Sequence, residues 1–366
     1  MLALVEGTDH VCYRYRIRAF EPALRRHGWT IDTVALHRNS WSRHQQLRSA
    51  TDYDVVLLQR RLLPPWQLAI LRRHARRLIY DIDDAVFMRD SYAAKGPYSR
   101  RRLAYFWATV YFSDAIVVGN PYLWQRTTSF VNREKVMLIP TCVDTAGYTP
   151  AQHTTSTAVT RLVWIGQQST LPCLTLAGEA LREAARHAPN LELAVVSDRY
   201  PVVPGVRVAP RRWSSESEAA ELARADIGMS WLPDDPWSRG KCGLKVLQYM
   251  AAGLPVVANP VGMNRTMVEH GRTGFLAETP SEWAKAIKRL SGDAALRTQM
   301  GVAARRRVCE SYSVASWDEQ FTGLVQRVVE NKDVARLAGS LKRAAGDAIC
   351  TVEPSIRERS SVGART

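Results

Sequence analysis

The segment at residues 241–259 constrains the fold of this chain more than any other stretch. Apolar residues recur at helical spacing over 244–251, which predicts a helix. Gly253 stands where a left-handed C-terminal cap belongs, and Pro255 follows where a helix cannot continue. The apolar run Val256-Val257-Ala258 then suits a strand covered on both faces, as in a parallel sheet. The segment therefore predicts a short helix that leads directly into a buried parallel strand.

The same alternation of strand and helix occurs in two runs along the 366 residues. Between them lies a polar stretch rich in Thr and Ser at 145–160, which predicts a linker. Helices are predicted at 15–27 and 171–187, and a last helix at 317–331 is expected to cross back to the first domain. We expect an α/β fold of two Rossmann-like domains facing across a cleft. The predicted divisions are a first domain at 1–150, a second domain at 151–331 and a weakly ordered tail at 332–366.

Charge and cysteine content narrow the environment of the protein. The net charge is +15, and the excess lies in residues 1–150, which hold 22 Lys and Arg against 13 Asp and Glu. We expect either a solvated basic face or attraction to an anionic membrane surface. Nucleic acid is not expected as a partner, because the arginines lack interleaved aromatic residues. The six scattered cysteines suit reduced thiols. The expected location is the cytoplasm, with peripheral attachment to the inner membrane face as a further expectation.

Two features of the second half suit an anionic ligand. Lys241 and Lys245 are four residues apart at the start of a predicted helix, where free backbone N–H groups already attract anions. Ser169 and Thr170 precede another helix start. We favour a diphosphate site at the lysines, with ordinary surface lysines as the alternative. For the hydroxyls, phosphate binding and helix capping are equal alternatives.

In the first half, carboxylates follow a predicted strand at 78–80. Asp81, Asp83 and Asp84 lie where strand ends of a parallel sheet meet a cleft. Carboxylates at such a position could contact a sugar, cap the next helix from the loop, or bind a divalent metal. The acids alone do not distinguish these alternatives.

Three further basic residues and one amide are weaker candidates. Arg14 and Arg18 are predicted to share a helix face, where guanidinium groups suit a phosphate of a donor or a lipid-diphosphate acceptor. A solvated helix face is the alternative for both. His10 lies in the first loop, and Asn264 lies in a loop that either meets the ligand or forms a plain turn.

Several segments together resemble a known family. The chain is similar to retaining nucleotide-sugar glycosyltransferases of family 4, the glycosyl transferases group 1, which have the two-domain GT-B fold. The resemblance covers about residues 2–330. In the first half it is carried by 25–29 and 136–144. In the second half it is carried by Leu162-Val163-Trp164-Ile165-Gly166, Asp226-Ile227-Gly228, 241–259, 260–264 and 270–276.

The resemblance implies a function and a set of site residues. It implies transfer of a sugar from a nucleotide-sugar to an acceptor hydroxyl with retention, in cell-surface polysaccharide or glycolipid synthesis, with no obligatory metal or other cofactor. A lipid-linked or glycan acceptor would lie in the first domain. Asp83 and Asp84 match a His-Asp pair of the family, and with Lys245 they are the expected catalytic residues. The expected donor-binding residues are Ser169, Thr170, Lys241, Gly243, Lys245, Gln248 and Asn264; His10, Arg14 and Arg18 are expected at the acceptor or a phosphate.

The chain departs from the family at its paired glutamates. The matching positions hold Gly240 and Gln248. We therefore expect a divergent subgroup in which Lys241 and Lys245 supply charge to the donor site. Two other functions remain open: a non-catalytic relative that binds sugar-nucleotides or glycans, and a metal-dependent transferase built around Asp81 and Asp83.

Overall fold

The computed structural model describes residues 1–154 and 159–330 and contains two parallel six-stranded sheets. The first sheet has the order β2-β1-β3-β4-β5-β6 and the second has the order β12-β11-β10-β7-β8-β9. The inner strands are fully buried because helices cover both of their faces. The strands are β1 Leu2–Val5, β2 Asp32–Ala35, β3 Val56–Gln59, β4 Leu78–Ile82, β5 Ala115–Val118, β6 Val136–Leu138, β7 Thr160–Ile165, β8 Leu191–Ser197, β9 Arg207–Arg212, β10 Ile227–Ser230, β11 Val256–Ala258 and β12 Gly274–Leu276.

The described residues contain fifteen α-helices, most of which connect successive strands, so the expected α/β class with two Rossmann-like sheets is confirmed. The segment at residues 241–259 forms α11 and β11, and Gly253 between them has φ +69°. The helices are α1 Val11–Arg16, α2 Glu21–Arg26, α3 Ser40–Arg48, α4 Pro65–His74, α5 Arg100–Phe112, α6 Pro121–Thr128, α7 Pro172–Leu176, α8 Gly178–His187, α9 Glu218–Ala223, α10 Pro236–Arg239, α11 Leu244–Ala251, α12 Met263–Met267, α13 Pro280–Gly292, α14 Ala294–Ser311 and α15 Asp318–Val329.

Two predicted helices are wrong in extent. The helix expected at 15–27 begins earlier and breaks at Ile17, whose backbone leaves the helical region at φ −125° and ψ −60°. The break lets Ile17 pack in the core and directs Arg16 inward. The helix expected at 171–187 is divided at Ala177 into α7 and α8. Local periodicity did not reveal either break, because both flanking pieces are helical.

The last helix crosses back to the first half, as expected. On α15, the ring of Phe321 stacks on that of Phe20 with the centroids 4.6 Å apart. Leu324 and Val325 are buried in the core that lies against the first sheet. The first sheet ends at Leu138 and the second begins at Thr160, so the predicted boundary at 150 falls between them. The tail predicted at 332–366 lies outside the described residues. No helix in the described part of the chain has the length and apolarity that a bilayer span requires.

Candidate active site

The two lysines of the second half lie over tryptophan rings. The Nζ of Lys245 is 4.3 Å from the ring centroid of Trp164, and the Nζ of Lys241 is 3.6 Å from that of Trp237. Within residues 1–154 and 159–330, neither lysine forms an ion pair with an acid. Burial is the main cause that lowers the pKa of Lys245 to about 8; the charge of Lys241 acts in the same direction, and Cys173 opposes the shift. An arriving anion would relieve this cost, so the pair is suited to bind one.

The loop after β7 lies against the same tryptophan. A Cβ on Gly166 would come within 2.5 Å of the Trp164 ring and 2.6 Å of the Thr170 Oγ1, so only glycine fits there. Thr170 donates a hydrogen bond to the Gln167 carbonyl at 2.9 Å, while Ser169 is exposed. The ring of Trp164 therefore contacts both the Thr170 loop and Lys245. Two of the predicted donor elements thus converge on one side chain.

In the first half, the predicted carboxylates gather around an arginine that sequence reasoning missed. Arg60 directly follows β3, and its guanidinium lies 3.3 Å from Asp83 and 3.3 Å from Asp84. It has φ 57°, the one positive value at a non-glycine residue in the described chain. His10 caps α1 by accepting a hydrogen bond from the Cys12 N–H at 3.2 Å. A cation directly after a buried strand was the available sequence signal for Arg60.

The electrostatics of this cluster favour an ionised Asp83. Burial opposes ionisation, but the charges of Arg60 and Arg16 outweigh it and lower the pKa of Asp83. Burial and the charge of Arg60 also lower the pKa of His10, although Glu6 and Asp83 oppose the shift. His10 is therefore neutral at neutral pH.

Asp81 has a separate role in the core. Its carboxylate accepts hydrogen bonds from the guanidinium of Arg16, and both side chains are fully buried. Arg16 also donates to the Ile139 carbonyl at 2.6 Å, so it joins three elements of the first half. The described residues hold no group of three His, Cys, Asp or Glu with metal-binding geometry. Asp81 thus forms a buried ion pair with Arg16.

The halves meet where the loop before α11 approaches the end of β4. The Asn120 side-chain amide donates to the carbonyl of Gly240 at 2.8 Å and to that of Lys241 at 3.2 Å. A Cβ on Gly240 would lie 2.6 Å from the Ala85 Cβ and 3.0 Å from the Ala85 nitrogen. Gly240 therefore lets the loop lie directly on the residue that follows Asp84.

Gln248 belongs to a buried polar network between the halves. Its side-chain amide donates to the Tyr15 hydroxyl at 2.9 Å and to the Tyr148 hydroxyl at 3.3 Å. The Tyr15 hydroxyl donates to Glu218 at 2.7 Å. Glu218 also accepts from Arg14 and from the Trp213 indole at 3.0 Å. The carboxylate of Glu218 is thus the partner of Arg14. The sequence carried no signal that pointed to Glu218.

The remaining predicted site residues are Arg18, Asn264 and Gly243. Arg18 follows the break at Ile17 and is exposed, so it does not share a face with Arg14. Asn264 is fully buried, where it donates to the Asn259 carbonyl at 3.2 Å and accepts from Ser230 at 3.3 Å. Gly243 caps α11 with φ 66°, and a Cβ there would lie 2.7 Å from the Met267 sulfur. Their ligand-binding roles stay predictions.

A cavity of about 400 Å³ opens beside Asp84. Trp237 from the second half forms part of its wall, so the cavity lies between the halves. Basic and acidic side chains from three parts of the first half also line it. Glu6 follows β1, Arg60 and Arg61 follow β3, and α5 contributes Arg101, Arg102 and Tyr105.

Comparison with known proteins identifies the class of the second half. Residues 156–293 match the family model described as Glycosyl transferases group 1. A D-inositol 3-phosphate glycosyltransferase of Salinispora arenicola is 37% identical over 86 residues, which are 23% of this chain and 18% of that protein. An alpha-maltose-1-phosphate synthase of Mycolicibacterium smegmatis is 25% identical over 239 residues, 56% of this chain and 59% of that protein. The matches thus span less than two thirds of either relative.

Solved structures share the whole fold. A sucrose-phosphate synthase from Thermosynechococcus elongatus superposes with a TM-score of 0.73 at 17% identity, covering 90% of this chain and 99% of that one. Anabaena Alr3699/HepE in complex with UDP and glucose superposes with a TM-score of 0.64 at 16% identity, covering 89% and 98%. The chain therefore has the GT-B fold, and residues 156–293 within its second half match the glycosyl transferases group 1 model.

Replacing Gly240 by alanine tests the contact between the halves. We expect the Gly240→Ala variant to lose about 1–3 kcal/mol of stability, because the added methyl group collides with the Ala85 backbone. Scanning calorimetry should show a melting temperature several degrees lower. The matched control is Gly292→Ala, whose added methyl group meets nothing within 4 Å. A melting temperature equal to that of the parent in both variants would contradict the contact.

Proposed function

We propose that the protein transfers a sugar from a nucleotide-sugar donor to an acceptor hydroxyl. The observation that carries the proposal is the pair Lys241 and Lys245, which lack acidic partners in the described chain; Lys245 lies over the Trp164 ring, against which the Thr170 loop also lies. The family of the second half and the glycosyltransferase relatives support the same activity. The UDP complex of a protein with this fold supports a nucleotide donor.

The donor diphosphate would bind between the lysines and the loop after β7. Lys241 and Lys245 would neutralise the phosphates, and Ser169 and Thr170 would donate hydrogen bonds to them. As the bond between sugar and phosphate breaks, negative charge grows on the leaving diphosphate. The same lysines would then stabilise the leaving group, which is a catalytic role for Lys245.

The carboxylates of the first half would face the transferred sugar. Gly119 separates the Cys242 sulfur from the Asp83 backbone, so the lysine loop and the carboxylates are close neighbours. Arg60 holds Asp83 and Asp84 in place, and the lowered pKa keeps Asp83 ionised. We propose a retaining reaction in which the acceptor attacks the face that the diphosphate leaves, within a cleft closed against water.

The cavity beside Asp84 is our candidate for the acceptor. Arg61 and Arg101 in its wall suit an acceptor that carries phosphate, such as a lipid-linked one, and a glycan is the other acceptor class. We propose a role in cell-surface polysaccharide or glycolipid synthesis, in the cytoplasm at the inner membrane face. The basic excess of the first half supports this location.

A non-catalytic sugar-nucleotide-binding protein is the second candidate. It is favoured by one observation: the two positions at which the family keeps glutamates hold Gly240, packed on Ala85, and Gln248, bonded to tyrosine hydroxyls.

A turnover assay separates the two candidates. UDP-, GDP-, ADP- and TDP-sugars should first be ranked by thermal shift, because a ligand of the folded state raises its melting temperature. The stabilising donor should then release nucleoside diphosphate when acceptor extract is added, and excess EDTA should leave the rate unchanged. Stabilisation without turnover would favour the binding protein. Loss of the rate in EDTA would favour a metal-dependent transferase.

Replacing Lys245 by alanine tests the diphosphate site. We expect Lys245→Ala to weaken UDP or GDP binding about tenfold or more in calorimetry, because a charge-assisted hydrogen bond contributes roughly 1.5–3 kcal/mol. Lys288→Ala, on the exposed side of α13, is the matched control and should bind as the parent does.

The pH dependence of binding provides a second readout. Lys245 is protonated below its pKa of about 8 and loses its charge as the pH rises through that value. Affinity should therefore fall between pH 7 and about 9, where the diphosphate stays ionised, and Lys245→Ala should lose this dependence. Equal affinities of parent and variant across this range would refute the role of the lysine.

A further inference from the structure

One face of α5 is exposed and carries large aromatic side chains. Phe106 and Val110 point into the core of the first half, where they are fully buried. The outward positions 103, 107 and 111 recur at helical spacing, so their side chains form a continuous stripe. We call these three residues, together with the adjacent Phe112, the aromatic face. The exposed fractions of its side chains are Leu103 41%, Trp107 46%, Tyr111 54% and Phe112 48%.

The charge around the aromatic face has one sign. Residues 91–113 contain no Asp or Glu, and they contain Lys95, Arg100, Arg101 and Arg102. Arg100 is exposed and has no ion pair or hydrogen bond from its side chain among the residues described. The acid that follows the helix, Asp114, is already paired with Arg72 at 3.0 Å and accepts from the Leu78 N–H at 2.7 Å. The face thus combines apolar area with uncompensated positive charge.

We infer that the aromatic face docks on the surface of an anionic phospholipid bilayer, with α5 lying along it. Trp and Tyr favour the boundary between headgroups and acyl chains, and Leu and Phe add apolar area below it. Lys and Arg beside them are attracted by anionic headgroups. Charge complementarity therefore selects this occupant over a neutral surface or a second copy of the same basic face.

The same helix, α5, also lines the cavity beside Asp84. Arg101, Arg102 and Tyr105 of α5 line the cavity beside Asp84, while Leu103 and Trp107 face outward from the same turns. Docking would therefore hold the cavity next to the bilayer, within reach of a ligand anchored there. The docking itself requires no turnover, so it is tested separately from the proposed reaction.

Vesicle flotation tests this inference. The full chain should float with vesicles of phosphatidylcholine mixed with phosphatidylglycerol, and it should bind vesicles of phosphatidylcholine alone far more weakly. High salt should reduce binding to the mixed vesicles, because it screens the charges. The double variant Trp107→Ser with Tyr111→Ser and the single variant Arg100→Glu should each lower the partition coefficient about fivefold or more. The three side chains lie on the exposed face of α5, so circular dichroism should show that each variant keeps the helical content of the parent.

Matched controls lie in the second half. Val302→Ser removes an exposed apolar side chain, and Lys288→Glu reverses an exposed charge, at positions far in sequence from α5. Both should float as the parent does. Equal flotation of parent and α5 variants would overturn the inference. So would a lipid-independent dimer in analytical ultracentrifugation that the Trp107→Ser and Tyr111→Ser variant dissociates, since the face would then be an interface between copies.

Discussion

The packing of Gly240 on Ala85 determines how the two halves of this protein meet. A hydrogen atom in place of a side chain lets the loop before α11 lie on the end of β4, and the Asn120 amide holds two carbonyls of that loop. The contact brings the loop that carries Lys241 against Ala85, the residue that follows Asp84. The candidate site therefore depends on a close approach between two backbone segments. Any side chain larger than the hydrogen atom of glycine at position 240 would prevent this approach.

The same contact gives a physical account of the missing glutamates. At the first position, a glutamate would collide with Ala85, so glycine accompanies this arrangement of the halves. At the second, Gln248 donates to Tyr15 and Tyr148, and both hydroxyls lie within hydrogen-bond distance of Glu218. A carboxylate at 248 would be buried near that of Glu218, which is unfavourable. In this network the carboxylate is therefore supplied by Glu218, and position 248 supplies an amide.

The sequence predicted the features that rest on local patterns. The buried strands, the helix at 244–251 and the carboxylates after β4 follow from periodicity and strand ends. The break at Ile17 could not be predicted, because it serves the burial of Arg16 against Asp81, 65 residues away. Glu218 was missed for the same reason, since its partners Arg14 and Tyr15 are more than 200 residues distant in sequence. Tertiary contacts of this kind leave no periodic signal.

Hydrogen exchange with bound nucleotide tests the account most directly, because it locates the donor without relying on any substitution. In the presence of saturating UDP or GDP, whichever stabilises the protein more, we predict slower amide exchange at 166–170 and at 241–248. Exchange in α5 should stay unchanged. Protection confined to other segments, or no change at all at a concentration that saturates binding, would contradict a donor site built on the Thr170 loop and the two lysines.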